Sequence, residues 1–187
     1  PYTTLFRSPG NGEEPGSPGQ LAYEPVGNKM VIKDAELEIL VQSTDIAIAQ
    51  TNQLTADYNG YIISTQSWYK DGFKHATLRL GIPSASFETV LNQLRDIGLR
   101  VISETASGQD VSNEYVDLQS KLTNLEATAA RIRDFLNAAK TIEETLTVSA
   151  QLAELEAQIE QVKGQIRYYE GRSAYSTVTV NLVPQHP

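Results

Sequence analysis

The longest patterned stretch of the chain, residues 111–172, reads VSNEYVDLQSKLTNLEATAARIRDFLNAAKTIEETLTVSAQLAELEAQIEQVKGQIRYYEGR. Its apolar residues recur at alternating steps of four and three, a spacing that keeps one narrow stripe facing a partner helix. The first seam is Val111, Tyr115, Leu118, Leu122, Leu125, Ala129, Ile132, Leu136 and Ala139, and the second is Val148, Leu152, Leu155, Ile159, Val162, Ile166 and Tyr169. This pattern predicts two long helices that pack along their lengths.

A capping box marks the turn between the two predicted helices. Thr141 and Glu144 have the T-x-x-E spacing in which each side chain satisfies a free backbone N–H at a helix start. The turn is therefore predicted near residues 139–142, so residues 111–172 form an antiparallel coiled-coil hairpin. At a rise of about 1.5 Å per residue, each arm extends roughly 40 Å.

Alternating apolar residues predict five strands around this hairpin. They span residues 30–41, 61–70, 73–82, 99–106 and 174–182. Asp71-Gly72 predicts a type I′ turn between the second and third strands, because both positions need positive φ. One short helix is predicted to begin near Thr44, and a second is predicted to be capped by Ser84 or Ser86.

The order of these elements gives a fold class. Strand, helix, strand, strand, helix, strand is the split βαβ, ferredoxin-like arrangement of an α+β domain. Its two short helices cover one face of an antiparallel sheet. The coiled-coil hairpin is inserted before the fifth, C-terminal strand, which is expected to return from the base of the hairpin and join an edge of the sheet.

The chain divides into four segments of different composition. Residues 1–8, PYTTLFRS, resemble the translation of a common sequencing adaptor and are set aside as an artefact. Residues 9–28 are rich in proline and glycine with few apolar side chains, which predicts a flexible linker. Residues 29–183 form one α+β domain that carries the hairpin 111–172, and residues 184–187 form a tail.

Composition narrows the possible functions. A net charge of −8 and a pI near 4.8 make binding to a phosphate backbone unfavourable, so nucleic acid is not an expected partner. Cysteine is absent, which excludes disulfides and thiolate catalysis. The two histidines are His75, expected to be an exposed strand residue, and His186 in the tail. We therefore predict no enzymatic activity, no metal and no cofactor.

The base of the hairpin gathers polar and aromatic side chains into a candidate site. Its members are Glu114, Tyr115, Asp117, Tyr168 and Arg172, which lie where the first arm begins and the second ends. One interpretation is a structural collar, in which acids at a helix N-terminus favour the dipole and Arg172 pairs with Glu114 or Asp117. The other interpretation is a pocket for a ligand or partner.

The tip of the hairpin is the candidate docking surface. Phe135, Ile142 and Leu146 are apolar residues outside the two seams, and we expect them to dock a protein partner or a second copy of the chain. Near the second strand's end, Trp68 and Tyr69 alternate to opposite faces of the sheet, so at least one of them is expected to face solvent.

One block of sequence resembles a known family. Residues 108–127, GQDVSNEYVDLQSKLTNLEA, are similar to a signature of the bacterial domain of unknown function 4349, and residues 168–180 resemble its closing strand. The resemblance covers residues 30–183. It implies an extracytoplasmic module preceded by an export or lipoprotein signal and tethered to a membrane through segments outside this sequence. The family has no established activity, so it implies no catalytic residues.

Two hypotheses for function follow. The first is a non-enzymatic, extracytoplasmic and membrane-tethered interaction or scaffold module that uses the projecting hairpin. The alternative is an envelope sensor or small-ligand-binding domain with its site at the base of the hairpin.

Overall fold

The computed structural model describes residues 29–186, in which two long helices connect the fourth and fifth strands of one sheet. The elements are β1 (Val31–Val41), α1 (Thr44–Asp57), β2 (Tyr61–Lys70), β3 (Phe73–Pro83), α2 (Phe87–Arg95), β4 (Arg100–Asp110), α3 (Ser112–Ala138), α4 (Ile142–Ala174) and β5 (Tyr175–Pro184). The predicted α+β fold with an inserted helical hairpin is confirmed. The artefact and linker predicted for residues 1–28 lie outside the described residues.

The fifth strand lies inside the sheet. The strand order is β2-β3-β5-β1-β4, with β5 antiparallel to β3 and parallel to β1. The expectation that β5 joins an edge is therefore wrong. Its alternation of Val178, Val180 and Leu182 with polar residues shows that one face is buried, but a central strand and an edge strand can share that pattern.

Helices α1 and α2 pack on one face of the sheet and form the core with it. In the middle of this face, Val180 of β5 lies between Leu37 of β1 and Leu78 of β3 in the strand register. All three side chains are fully buried. The core residues contributed by α2 are Phe87, Val90, Leu91 and Leu94. The opposite face of the sheet, which we call the open face, carries mainly polar side chains.

Local turn chemistry follows the sequence at two of three positions. Asp71 and Gly72 have φ values of 52° and 82°, which confirms the type I′ turn between β2 and β3. Helix α1 begins at Thr44 as predicted, and the preceding Ser43 accepts a hydrogen bond from the Ile46 amide and caps it. Ser86 occupies the N-cap position of α2 as predicted, but its backbone continues a 3-10 turn (φ −100°, ψ 0°) and its side chain makes no capping hydrogen bond. The Ser84 hydroxyl instead donates to the Ser173 carbonyl at 2.5 Å, which ties this turn to the end of α4.

Helices α3 and α4 form the predicted antiparallel hairpin. They contain 27 and 33 residues, and every seam position is buried or half-buried, while most positions outside the seams are exposed. Two ion pairs cross between the helices, from Arg133 to Glu156 at 3.0 Å and from Lys163 to Glu126 at 3.8 Å. The capping box of Thr141 and Glu144 forms as expected at the start of α4.

Candidate functional site

An open groove of about 810 Å³ lies between α3 and α4 at the base of the hairpin. Three of the five predicted collar residues, Glu114, Asp117 and Tyr168, line this groove. The other lining residues are Leu118, Lys121, Gln161, Gly164, Gln165 and Tyr169. The groove is therefore a candidate ligand site that includes three of the residues singled out from the sequence, but not Tyr115 or Arg172.

The groove combines the apolar surface of Leu118 and two tyrosine rings with charged and amide groups. Gly164 contributes to its depth, because a Cβ at this position would meet only the tip of Arg167, at 3.9 Å. The exposed ring of Tyr168 lies 5.8 Å from that of Tyr169, centroid to centroid. Two carboxylates and one ammonium group give the walls a net negative charge. This chemistry suits a small ligand that donates hydrogen bonds.

Tyr115 turns away from the groove and links the two helices. Its hydroxyl donates a 2.6 Å hydrogen bond to the Glu170 carboxylate, and this bond raises the pKa of Tyr115. The contact closes the base of the hairpin between α3 and α4. Tyr115 therefore fits the collar interpretation, and its partner Glu170 was not predicted from the sequence.

Arg172 pairs with Asp34 and not with Glu114 or Asp117. One guanidinium nitrogen donates to both Asp34 oxygens, at 2.8 and 3.0 Å, and another contacts the Thr177 hydroxyl. The hydrogen bond to Asp34 raises the pKa of Arg172. The predicted pairing is wrong because Arg172, in the last turn of α4, points at β1 and β5, whereas Glu114 and Asp117 face the groove.

The open face was missed as a possible site. Cross-strand register aligns Ser64, Arg79, Thr179, Glu36 and Thr105 in one row across all five strands. Polar alternation along each strand was visible in the sequence, but the row could not be assembled without the strand order. A shallow cavity of about 340 Å³ lies over part of this row.

His75 is not the exposed strand residue that the sequence suggested. It is half-buried, and the Trp68 ring stacks on it with centroids 5.8 Å apart and planes 14° apart. Its Nε2 is buried without a hydrogen-bond partner among the described residues. Both Trp68 and Tyr69 are exposed, in keeping with the expectation that at least one would face solvent.

The tip exposes the three apolar side chains that the sequence singled out. Phe135 is 67% exposed, Ile142 81% and Leu146 66%. Ile142 and Leu146 lie one turn apart on α4, so they share a face of that helix. Phe135 lies in the last turn of α3, on the other side of the connection. We call these three residues the tip patch.

Residues 29–186 contain neither a candidate metal site nor a helix that could span a membrane. No group of three or more histidine, cysteine or acidic residues is arranged to hold a metal ion in this part of the chain. None of the helices formed by these residues has both the length and the apolar content that a membrane span requires.

The fold and its groove define a small α+β domain that carries an antiparallel coiled-coil hairpin. A family model, the domain of unknown function DUF4349, matches residues 29–187, and the chain belongs to this family. Comparisons with curated proteins and with solved structures found no match in either set.

Proposed function

We propose that this chain is a non-enzymatic interaction module that docks a protein partner through the tip patch. The observation that carries the proposal is the exposure of Phe135, Ile142 and Leu146 at the free end of the hairpin. Single exposed apolar residues are normal on a protein surface, but a group at one place often marks a binding site.

The pairing of the two helices supports this choice of surface. The seam residues of α3 pack against those of α4, and Ala129, Ile159, Val162 and Ile166 are buried between the helices. The seams are therefore occupied within the hairpin and leave no long apolar stripe for a third helix. The tip patch lies outside both seams, so it is free to contact another molecule.

An extracytoplasmic, membrane-tethered position is part of the same proposal. It is supported by the family resemblance and not by the described residues. In that setting a hairpin of about 40 to 50 Å would carry the tip patch away from the globular part, where a partner could reach it.

The proposal predicts a partner adduct formed from the tip. A photo-reactive amino acid in place of Ile142, in the full-length protein in its native cells, is expected to give a discrete cross-linked protein. The same group in place of Val116, which is exposed near the start of α3, is the matched control. Replacing Phe135 and Leu146 with serine should remove the adduct, because the apolar contact is lost.

Two outcomes contradict tip docking. Identical adducts from positions 142 and 116 would show that the hairpin is labelled without specificity. An adduct that persists after both serine replacements would show that the apolar side chains are not needed.

A second candidate function is a sensor or ligand-binding domain that uses the groove. It is favoured by the depression at Gly164 beside Glu114, Asp117 and Tyr168. We expect a small ligand carrying an amino group to raise the Tm by about 5 °C at a hundredfold excess over its Kd. Tyr168→Ala should abolish this shift, whereas Leu146→Ser should retain it. A panel of such amines that gives no shift would contradict this candidate.

A further inference from the structure

Strand β2 presents an unpaired edge over its full length. It pairs with β3 on one side, and no described strand lies on its other side. All ten of its residues, Tyr61–Lys70, are exposed. The free N–H and C=O groups of such an edge can pair with a strand of another chain.

The two edges of the sheet differ in how they are protected. On β4, the other edge, Arg100, Glu104 and Asp110 are charged, and charged residues discourage pairing between edges. Residues 61–69 of β2 carry no charge. Their exposed large apolar side chains are Tyr61, Ile62, Ile63, Trp68 and Tyr69. Lys70, at the end of β2, is the single charged residue of this strand, so the edge at β2 is less protected than the edge at β4.

We propose that β2 pairs antiparallel with β2 of a second copy of this chain. Five strands from each copy would then form one continuous ten-stranded sheet. The proposal is independent of tip docking, because β2 and the tip patch lie in different parts of the molecule. It rests on the unpaired edge and on the self-complementarity of the β2 sequence.

The faces of β2 restrict the register of such a pair. Gln66 and Ser64 lie opposite Thr77 and Arg79 of β3 and share the open face, whereas Thr65 lies on the other face. Residues that oppose each other in an antiparallel pair must share a face. A two-fold axis at Gln66 satisfies this condition.

In this register the side chains of the two copies match. Thr65 opposes Ser67 of the second copy, and Ser64 opposes its Trp68. A register shift between Ile62 and Ser64 makes Ile63 an extra residue, so Ile62 and Ile63 together oppose one residue of the second copy. That residue is Tyr69, which is 73% exposed in the single chain. Polar side chains therefore meet at the axis, apolar side chains meet on either side of it, and Lys70 lies opposite Tyr61 of the second copy at each end of the pair.

The symmetry fixes where the two hairpins lie. Tyr61, at the start of β2, packs edge-on against Tyr175, the residue that follows α4, with centroids 5.3 Å apart. The starts of two antiparallel β2 strands lie at opposite ends of the pair. The dimer would therefore carry its hairpins at opposite ends of the sheet and present two tip patches.

A single cysteine tests this register directly, because the chain has none of its own. Opposed Cα atoms lie about 4.5 to 5.5 Å apart in an antiparallel pair, within the roughly 4.4 to 6.8 Å that a disulfide spans. Gln66→Cys is therefore expected to form a disulfide-linked dimer under mild oxidation. Sedimentation of the unmodified chain should show a mass that rises toward that of a dimer over a concentration series up to about 1 mM.

Three matched variants serve as controls for the Gln66→Cys cross-link. Ser64→Cys, two residues from the axis, and Thr105→Cys, on the opposite edge β4, should not cross-link. Adding Tyr69→Lys to Gln66→Cys should abolish the cross-link, because it places a charge against Ile62 and Ile63. The Tyr69 side chain is largely exposed, so circular dichroism of this variant should match that of the unmodified chain.

Four results would overturn the proposal. One is a monomer at every concentration with no cross-link at position 66, the expected behaviour if another segment covers β2. Another is equal cross-linking at positions 66 and 105, which would indicate random collision. The third is cross-linking at position 64 but not at 66, which would indicate a different register. The fourth is a dimer that Tyr69→Lys leaves intact but that serine replacements of Phe135, Ile142 and Leu146 dissociate.

Discussion

Replacing Val180 with aspartate is expected to unfold the globular part of the chain. Val180 is fully buried in β5, between Leu37 of β1 and Leu78 of β3. No partner for a carboxylate lies among these apolar neighbours, so its burial costs several kcal/mol. Domains are stable by only about 5 to 15 kcal/mol, so this substitution removes most or all of the stability.

The matched control is Ile102→Asp on the edge strand β4. Ile102 is 44% exposed, so its replacement should lower the free energy of unfolding by only about 1 kcal/mol, mainly because aspartate is disfavoured in a strand. Trp68 is the single tryptophan and lies in the sheet. Its fluorescence during urea titration therefore follows the sheet, while circular dichroism follows mainly the two long helices. A similar loss in both variants would contradict the central position of β5.

The parts of the fold that the sequence predicted correctly are those determined by residues that are close together in the chain. The seams depend on steps of three and four residues, and the capping box needs only Thr141 and Glu144. The turn at Asp71 and Gly72 depends on two adjacent residues with positive φ. In each of these cases the residues that decide the structure are close together in the chain.

The parts that the sequence could not predict depend on which strands are neighbours. Alternation in β5 shows that one face is buried but does not show which strands bind its two edges. The ion pair of Arg172 with Asp34 joins residues 138 positions apart and exists because β5 places the end of α4 beside β1. Without knowledge of that strand order, Glu114 and Asp117 were the carboxylates expected to lie beside Arg172 at the base of the hairpin.

The candidate site shows the same division. Glu114, Asp117 and Tyr168 were predicted to meet because the two arms of a hairpin must be close at its base, and all three line the groove. The role of Gly164 was not predicted, because a glycine within a helical pattern does not indicate whether the helix surface at that position lines a groove. The tip patch is exposed as expected, whereas its docking to a partner stays a prediction.

Gly98→Ala is expected to lower the free energy of unfolding by about 1 to 3 kcal/mol. Gly98 lies between α2 and β4, and the Leu99 amide beside it donates a 2.8 Å hydrogen bond to the Leu40 carbonyl. A Cβ at position 98 would overlap the Ile39 side chain and lie 2.5 Å from the Leu40 oxygen. A backbone oxygen cannot rotate away, so relief of the clash requires β1 to move.

The control is Gly171→Ala in the last turns of α4. A Cβ at this position meets nothing within 4 Å, and alanine is favoured over glycine in a helix by about 1 kcal/mol. The two substitutions add the same methyl group and should shift the urea midpoint in opposite directions, which separates close packing from backbone entropy. A neutral Gly98→Ala would mean that β1 moves freely there, and the tight contact between β1 and the α2–β4 connection would then be disproved.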